Sequence, residues 1–206
     1  SELRGGDAIL VAGQGGAGAV LAARVVSRGE FAGSWEYLLD DAIFTVPSHP
    51  QFGGAALIGR DGRLLGIGSL VTRIGLPGLG PVLGNMFVPI DHLKPILADL
   101  LAKGRPQKPP RPWLGLNAEE VRGRVVVERV TAGGPAAQAG IGAGDIVLEV
   151  GGRPVAGLAD FYRKVWALGR AGVEVALNVL QGTRVRGITL RSADRYKFLR
   201  LKGTPM

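Results

Sequence analysis

Short apolar runs separated by single glycines set the pattern of this chain. Segments 8–12, 19–26, 35–39, 55–58, 64–71 and 87–90 are apolar or alternate with polar residues, and each ends at a turn signal. That pattern predicts strands rather than helices. Arg60-Asp61-Gly62 between the fourth and fifth runs reads as a hairpin turn. A helix is expected from Asp91, a good N-cap. Leu93, Ile96, Leu97, Leu100 and Leu101 then recur on one helical face up to Gly104. Six strands and one packing helix suit a small barrel that hides its edges by closure.

After residue 102 the pattern changes. Pro106, Pro109, Pro110 and Pro112 fall within ten residues, the composition of a semi-rigid spacer. Beyond it, strands are expected at 123–130, 145–150, 153–155, 173–180 and 185–190, with helices at 134–140 and 158–168. This divides the chain into a β unit with its helix (1–102), a linker (103–112) and an α+β unit with a basic tail (113–206).

Charge sharpens that division. The net charge is +8, but residues 1–90 carry six basic and seven acidic groups against nineteen and ten in 91–206. A basic second half raises nucleic acid as a partner. No aromatic-basic motif, zinc spacing or helix-turn-helix pattern supports it, so none is expected. The basic surplus instead predicts a mild preference for acidic partners. The chain has no cysteine, which excludes disulfides and thiolate metal sites, and no cofactor or metal is expected. No apolar run reaches the roughly 18 residues of a membrane span. The pattern leaves self-association open.

The chemistry lies in one stretch. Gln51-Phe52-Gly53-Gly54-Ala55-Ala56-Leu57-Ile58-Gly59-Arg60-Asp61-Gly62 through Gly66-Ile67 resembles the G-N-S-G-G-P-L-L-N-x-x-G-x-x-x-G-I segment of trypsin-like serine proteases of the HtrA/Deg kind. Other runs resemble that family in the same order. Leu3–Gly13, Ala19–Ser27 and Asp40-Asp41-Ala42-Ile43 resemble its strands, Val88-Pro89-Ile90 through Leu97 its linker helix, and Arg111-Pro112-Trp113-Leu114-Gly115 the start of its next domain. The resemblance places the nucleophile on Gly53, or on Phe52 if the register slips by one. Neither side chain can attack a carbonyl. The oxyanion hole would use the N–H groups of Gly53 and Gln51. The family's catalytic histidine and aspartate lie in an N-terminal barrel with no counterpart in these residues. Ser48-His49 is a poor substitute, because adjacent residues rarely aim a hydroxyl at their own ring. His49 is expected in a loop and His92 exposed in a first helical turn.

The second unit resembles a PDZ domain. Ala139-Gly140-Ile141-Gly142-Ala143-Gly144-Asp145-Ile146 through Gly151-Gly152-Arg153-Pro154-Val155 matches the A-G-L-x-x-G-D-x-I…[NG]-G-x-x-V run, and Gly133-Gly134-Pro135-Ala136 the G-S-P-A preceding it. The resemblance implies a groove in which a peptide C-terminus adds as a strand, its carboxylate held by backbone N–H groups. Trp113, Leu114, Gly115 and Leu116 would form the carboxylate loop, and Phe161, Tyr162 and Val165 would face the peptide, with core packing as the plainer role for Phe161. The fold expected is mainly β with an α+β second domain, a trypsin-like β-barrel half followed by a PDZ domain. The implied function is HtrA-like, in envelope or periplasmic protein quality control, with peptide or unfolded-protein C-termini as partners. Without a complete triad the chain is expected to be inactive alone. The alternative is a pseudoprotease acting as adaptor or sensor.

Overall fold

A computed structural model describes residues 3–199. They form two compact units, one of residues 3–31 with 39–106, the other of 32–38 with 107–199. Residues 32–38 thus count with the second unit, although they interrupt the first in sequence.

The first unit is a closed six-stranded barrel. Its strands are β1 (Ala8–Ala12), β2 (Val20–Gly33), β3 (Tyr37–Val46), β4 (Ala56–Ile58), β5 (Leu64–Leu76) and β6 (Gly80–Pro89), arranged β1-β2-β3-β6-β5-β4. Alternation along each strand turns Ile9, Val11, Ala23, Val25, Ile43, Leu57, Leu65 and Phe87 into one core. The Arg60-Asp61-Gly62 turn joins β4 to β5, with the Gly59 N–H donating to Arg63 O at 2.9 Å. The apolar pattern stops β5 at 71 and begins β6 at 87. In the structure both run on and pair continuously, Thr72 with Gly84 through Leu76 with Gly80. Backbone pairing extends this hairpin where side-chain alternation gives no signal, and it leaves Leu79 and Leu83 exposed.

Two expectations need correction. The expected 35–39 strand begins only at Tyr37, and Ser34-Trp35-Glu36 is a turn. The expected helix from Asp91 is broken into 3-10 turns at Ile90–His92 and Lys94–Ile96, and α1 is confined to Leu97–Lys103. Pro95 is the cause, since it has no N–H to donate to the preceding turn and biases Lys94 away from α geometry. Asp91 caps nothing through its side chain; it pairs with Lys94 at 2.7 Å. The apolar stripe is also not a packed face, because no α1 residue is buried and Leu101 is 81% exposed.

The second unit is a sheet in the order β12-β11-β9-β8-β7. Its strands are β7 (Leu116–Val121), β8 (Arg124–Val130), β9 (Ile146–Val150), β10 (Arg153–Pro154, paired with β9), β11 (Glu174–Gln181) and β12 (Arg184–Arg191). Helices α2 (Pro135–Gln138), α3 (Leu158–Ala167) and α4 (Arg195–Phe198) complete it. Asp145, from the Gly-Asp pair of the sequence motif, accepts from Gly142 N–H at 2.8 Å and Gln181 Nε2 at 2.7 Å, which ties a loop to β11. Glu120 accepts from Leu158 N–H at 2.9 Å and so caps α3; a Cβ at Gly157 would lie 2.5 Å from that carboxylate. The basic tail forms α4 within the described residues, and its part from 200 onward lies outside them.

The barrel's tightest glycine is Gly68, where a Cβ would lie 2.0 Å from Phe52 O. Gly68→Ala is therefore expected to destabilise the first unit by about 1–3 kcal/mol. A urea midpoint equal to that of the unaltered chain would contradict this.

Candidate functional site

The stretch before Gly53, the expected nucleophile position, is held by hydrogen bonds of its own and by Asn85 and Ala19. His49 is buried in it. Its Nδ1 accepts from the Gln51 N–H at 3.0 Å, which leaves the ring proton on Nε2, 3.0 Å from Ala19 O. Its own backbone N–H donates to Asn85 Oδ1 at 2.6 Å, and Asn85 Nδ2 donates to Ser48 Oγ at 3.3 Å. Both ring nitrogens of His49 thus have backbone partners, and Ser48 faces the Asn85 amide rather than the imidazole. Phe52 O accepts from Ala55 N–H at 3.0 Å, and Gly54 N–H donates to Gly68 O at 2.9 Å. At Gly53 an added Cβ would meet nothing within 4 Å. His92 is exposed, and its Nε2 lies 2.5 Å from Asp41 Oδ1.

The second unit holds a different arrangement. Gly115 has φ +78, a conformation open to glycine at no steric cost. The flanking carbonyls are pinned away from the site: Leu114 O accepts from Ala136 N–H at 2.9 Å, and Gly115 O from Thr131 N–H at 2.8 Å. The N–H groups of Leu114, Gly115 and Leu116 therefore converge on one point. A carboxylate is there. Glu36 Oε1 accepts from all three, at 3.1, 2.7 and 3.0 Å, and Oε2 accepts from Leu114 at 3.0 Å.

The rest of the 32–38 turn follows the groove between β7 and α3. Ser34 O accepts from Ala118 N–H at 2.9 Å, a strand-like bond to the free edge of β7. The Tyr162 hydroxyl donates to Gly33 O at 2.8 Å and accepts from Glu36 N–H at 3.2 Å. Ala32 and Leu38 pack against the core of the second unit. Beside Ser34 a cleft of about 330 Å³ is lined by Ala118, Glu119, Glu120, Glu128 and Leu158. Of the other expected groove residues, Phe161 is 0% exposed and Val165 1%, both in the core cluster. Trp113 is buried too, bridged to Ala193 and set against Phe198 at 4.8 Å between ring centroids.

Sequence reasoning missed Glu36, Ser34 and Ala118. The Gly33-Ser34 pair was the available signal, since it is a turn signal directly before the run 35–39, whose first two residues belong to that turn.

Residues 112–191 match the PDZ domain family. Serine protease PepD of Mycobacterium tuberculosis is 28% identical over 179 residues, covering 84% of this chain and 38% of the relative. A probable periplasmic serine endoprotease DegP-like of Pseudomonas fluorescens is 29% identical over 158 residues, 70% of this chain and 32% of the relative. The chain is HtrA-like. Two solved structures share its fold. The HtrA-type protease AlgW with decapeptide has a TM-score of 0.56 at 20% identity, over 94% of this chain and 62% of that one. The serine endoprotease from Yersinia pestis has a TM-score of 0.52 at 22% identity, over 94% and 64%. The HtrA-like chain is thus a trypsin-like barrel half followed by a PDZ domain, and it spans about a third of the length of these curated relatives.

Burial pushes the Glu36 carboxyl up from its ordinary value of 4.5 to about 7, against the opposing pull of the Leu114, Leu116 and Gly115 N–H groups and the Arg195 charge. A raised carboxyl favours the neutral form when docked. Docking is then fully supported below pH 4.5 and weakens as the pH rises through 7. The amide resonances of Leu114, Gly115 and Leu116 should titrate with a midpoint near 7 in the intact chain and stay flat in Glu36→Gln. A flat profile in both proteins would refute the shift.

Proposed function

We propose that this chain is a peptide-binding HtrA-like protein whose PDZ groove receives free C-termini and whose barrel half contributes no hydrolytic centre of its own. The observation that carries the binding half is the convergence of the Leu114, Gly115 and Leu116 N–H groups on a carboxylate. A peptide C-terminus offers the same two oxygens, and its backbone can pair with the edge of β7 as Ser34 does with Ala118. Leu116 lines the place of the last side chain, which favours an apolar terminal residue. The structure of AlgW with a decapeptide is in keeping with this reading.

Charge preference is revised from the sequence-based expectation. The second half is basic overall, but Glu119, Glu120 and Glu128 line the cleft where upstream residues would lie. Lysine or arginine upstream of the terminal residue is therefore favoured over acidic residues, with a benefit that fades as salt rises.

The silent barrel is supported by two features. Gly53 supplies no nucleophile, and the Gln51 N–H, one of the two oxyanion donors the resemblance calls for, is spent on His49 Nδ1. A histidine or aspartate from any additional segment would still meet a hydrogen atom at Gly53. Loss of a serine nucleophile alone lowers turnover by on the order of 10⁶. The setting proposed is the cell envelope, in protein quality control, as relatives described as periplasmic suggest. There the chain would serve as an adaptor or sensor for exposed C-termini.

Calorimetry with one apolar-ended peptide and its C-terminal amide tests the groove. The acid should bind at micromolar Kd, about −7 to −8 kcal/mol, and the amide should bind at least tenfold more weakly. Equal binding of the two would rule out the carboxylate nest as the receptor. Casein and a fluorophosphonate probe test the barrel. Neither the unaltered chain nor Gly53→Ser, for which there is room, should take up the probe or cut casein. Covalent labelling, or cleavage that survives repurification, would refute silence.

A further inference from the structure

We propose that the 32–38 turn is a built-in ligand of the PDZ groove, with the Glu36 side chain standing where a peptide's terminal carboxylate would be. The proposal rests on the peptide-binding reading of that groove and adds to it a second class of ligand, an internal turn bearing glutamate. Free C-termini then bind only by displacing the turn.

Four independent contacts carry this. The Glu36 carboxylate takes every N–H group of the nest, at 2.7–3.1 Å. Ser34 O bonds to Ala118 N–H on the open edge of β7. The Tyr162 hydroxyl on α3 clasps the turn from the opposite wall, at Gly33 O and Glu36 N–H. Arg195 Nη1 lies 3.4 Å from Trp35 O, and its charge acts on the Glu36 carboxylate. The backbone adds a fifth observation. Glu36 has φ +57, in the left-handed region that glycine and asparagine occupy readily and glutamate does not. A strained residue persists where its surroundings over-determine it, and here the determinant is the carboxylate's place in the nest. Glycine would fit the turn better, but it would leave the nest empty.

A groove occupied by its own chain shows an outside ligand an affinity reduced by the fraction of time it stands open. The test compares the full chain with Glu36→Gly, which suits the turn's backbone and removes the carboxylate, and with Glu36→Gln, which keeps its shape. Amide hydrogen exchange is read at Leu114, Gly115 and Leu116, and calorimetry uses a peptide with an apolar last residue and a free carboxylate. In Glu36→Gly the three amides should lose protection while those of β11 and β12 keep theirs. The peptide should bind about tenfold tighter than to the unaltered chain, while Glu36→Gln, which keeps a neutral accepting oxygen, should stay close to the unaltered chain. Unchanged protection in Glu36→Gly overturns the proposal, as does equal, measurable peptide affinity in both proteins, which leaves the C-terminal receptor standing. Lost protection with no peptide binding to either protein supports the built-in ligand and removes the C-terminal receptor instead. Should Glu36→Gly fail to fold, the same readouts on Glu36→Asn, which suits the left-handed backbone and is one methylene too short for the nest, decide between these outcomes.

Discussion

Three consecutive backbone N–H groups aimed at one point cannot be left dry. Each buried donor without an acceptor costs about 1–3 kcal/mol, so the loop at Leu114–Gly115–Leu116 is stable only with an anion or water in front of it. Much of the second unit serves this geometry. Gly115 supplies the left-handed turn, Thr131 and Ala136 hold the carbonyls back, and Trp113 anchors the approach through Ala193. Glu36 satisfies the donors in the present arrangement. The same requirement underlies the proposed receptor role, since a carboxylate on an extended chain offers the acceptors these donors need.

The barrel treats its donors in the opposite way. A protease keeps two N–H groups free at its nucleophile, ready for charge that develops only in the transition state. Here one of the two N–H groups the resemblance points to, that of Gln51, already has an acceptor within the loop. His49 accepts from Gln51 and reaches Ala19 O, while Asn85 binds the loop from β6. In one unit three consecutive N–H groups meet a single carboxyl group, and in the other the Gln51 N–H meets a ring nitrogen two residues back.

Charge is similarly local. The basic surplus of the second half says little about the groove, because arginines such as Arg122, Arg124 and Arg153 are spread over the exposed surface while Glu119, Glu120 and Glu128 line one cleft. A ligand feels the groups within a Debye length, about 8–10 Å at ordinary ionic strength, not the sum over the half.

Local rules determined a large part of this protein in the sequence itself. Alternation and glycine punctuation mark the barrel strands and the hairpin at Asp61-Gly62. The spacing through Gly140, Gly144, Asp145 and Gly151 identifies the PDZ domain, because each residue there answers to a constraint only a few positions away. The left-handed glycine at 115 was legible for the same reason. Pro95 also carried its own signal, outweighed in the pattern by the apolar stripe around it. What tertiary structure alone decided is the occupant of the nest. Glu36 lies 79 positions before Gly115, in a stretch whose aromatic and leucine residues read as strand. Its carboxylate has no local partner to betray its role. Only closure of the chain brings acceptor and donors together, so the decisive contact depends on a distance in space that no spacing along the sequence records.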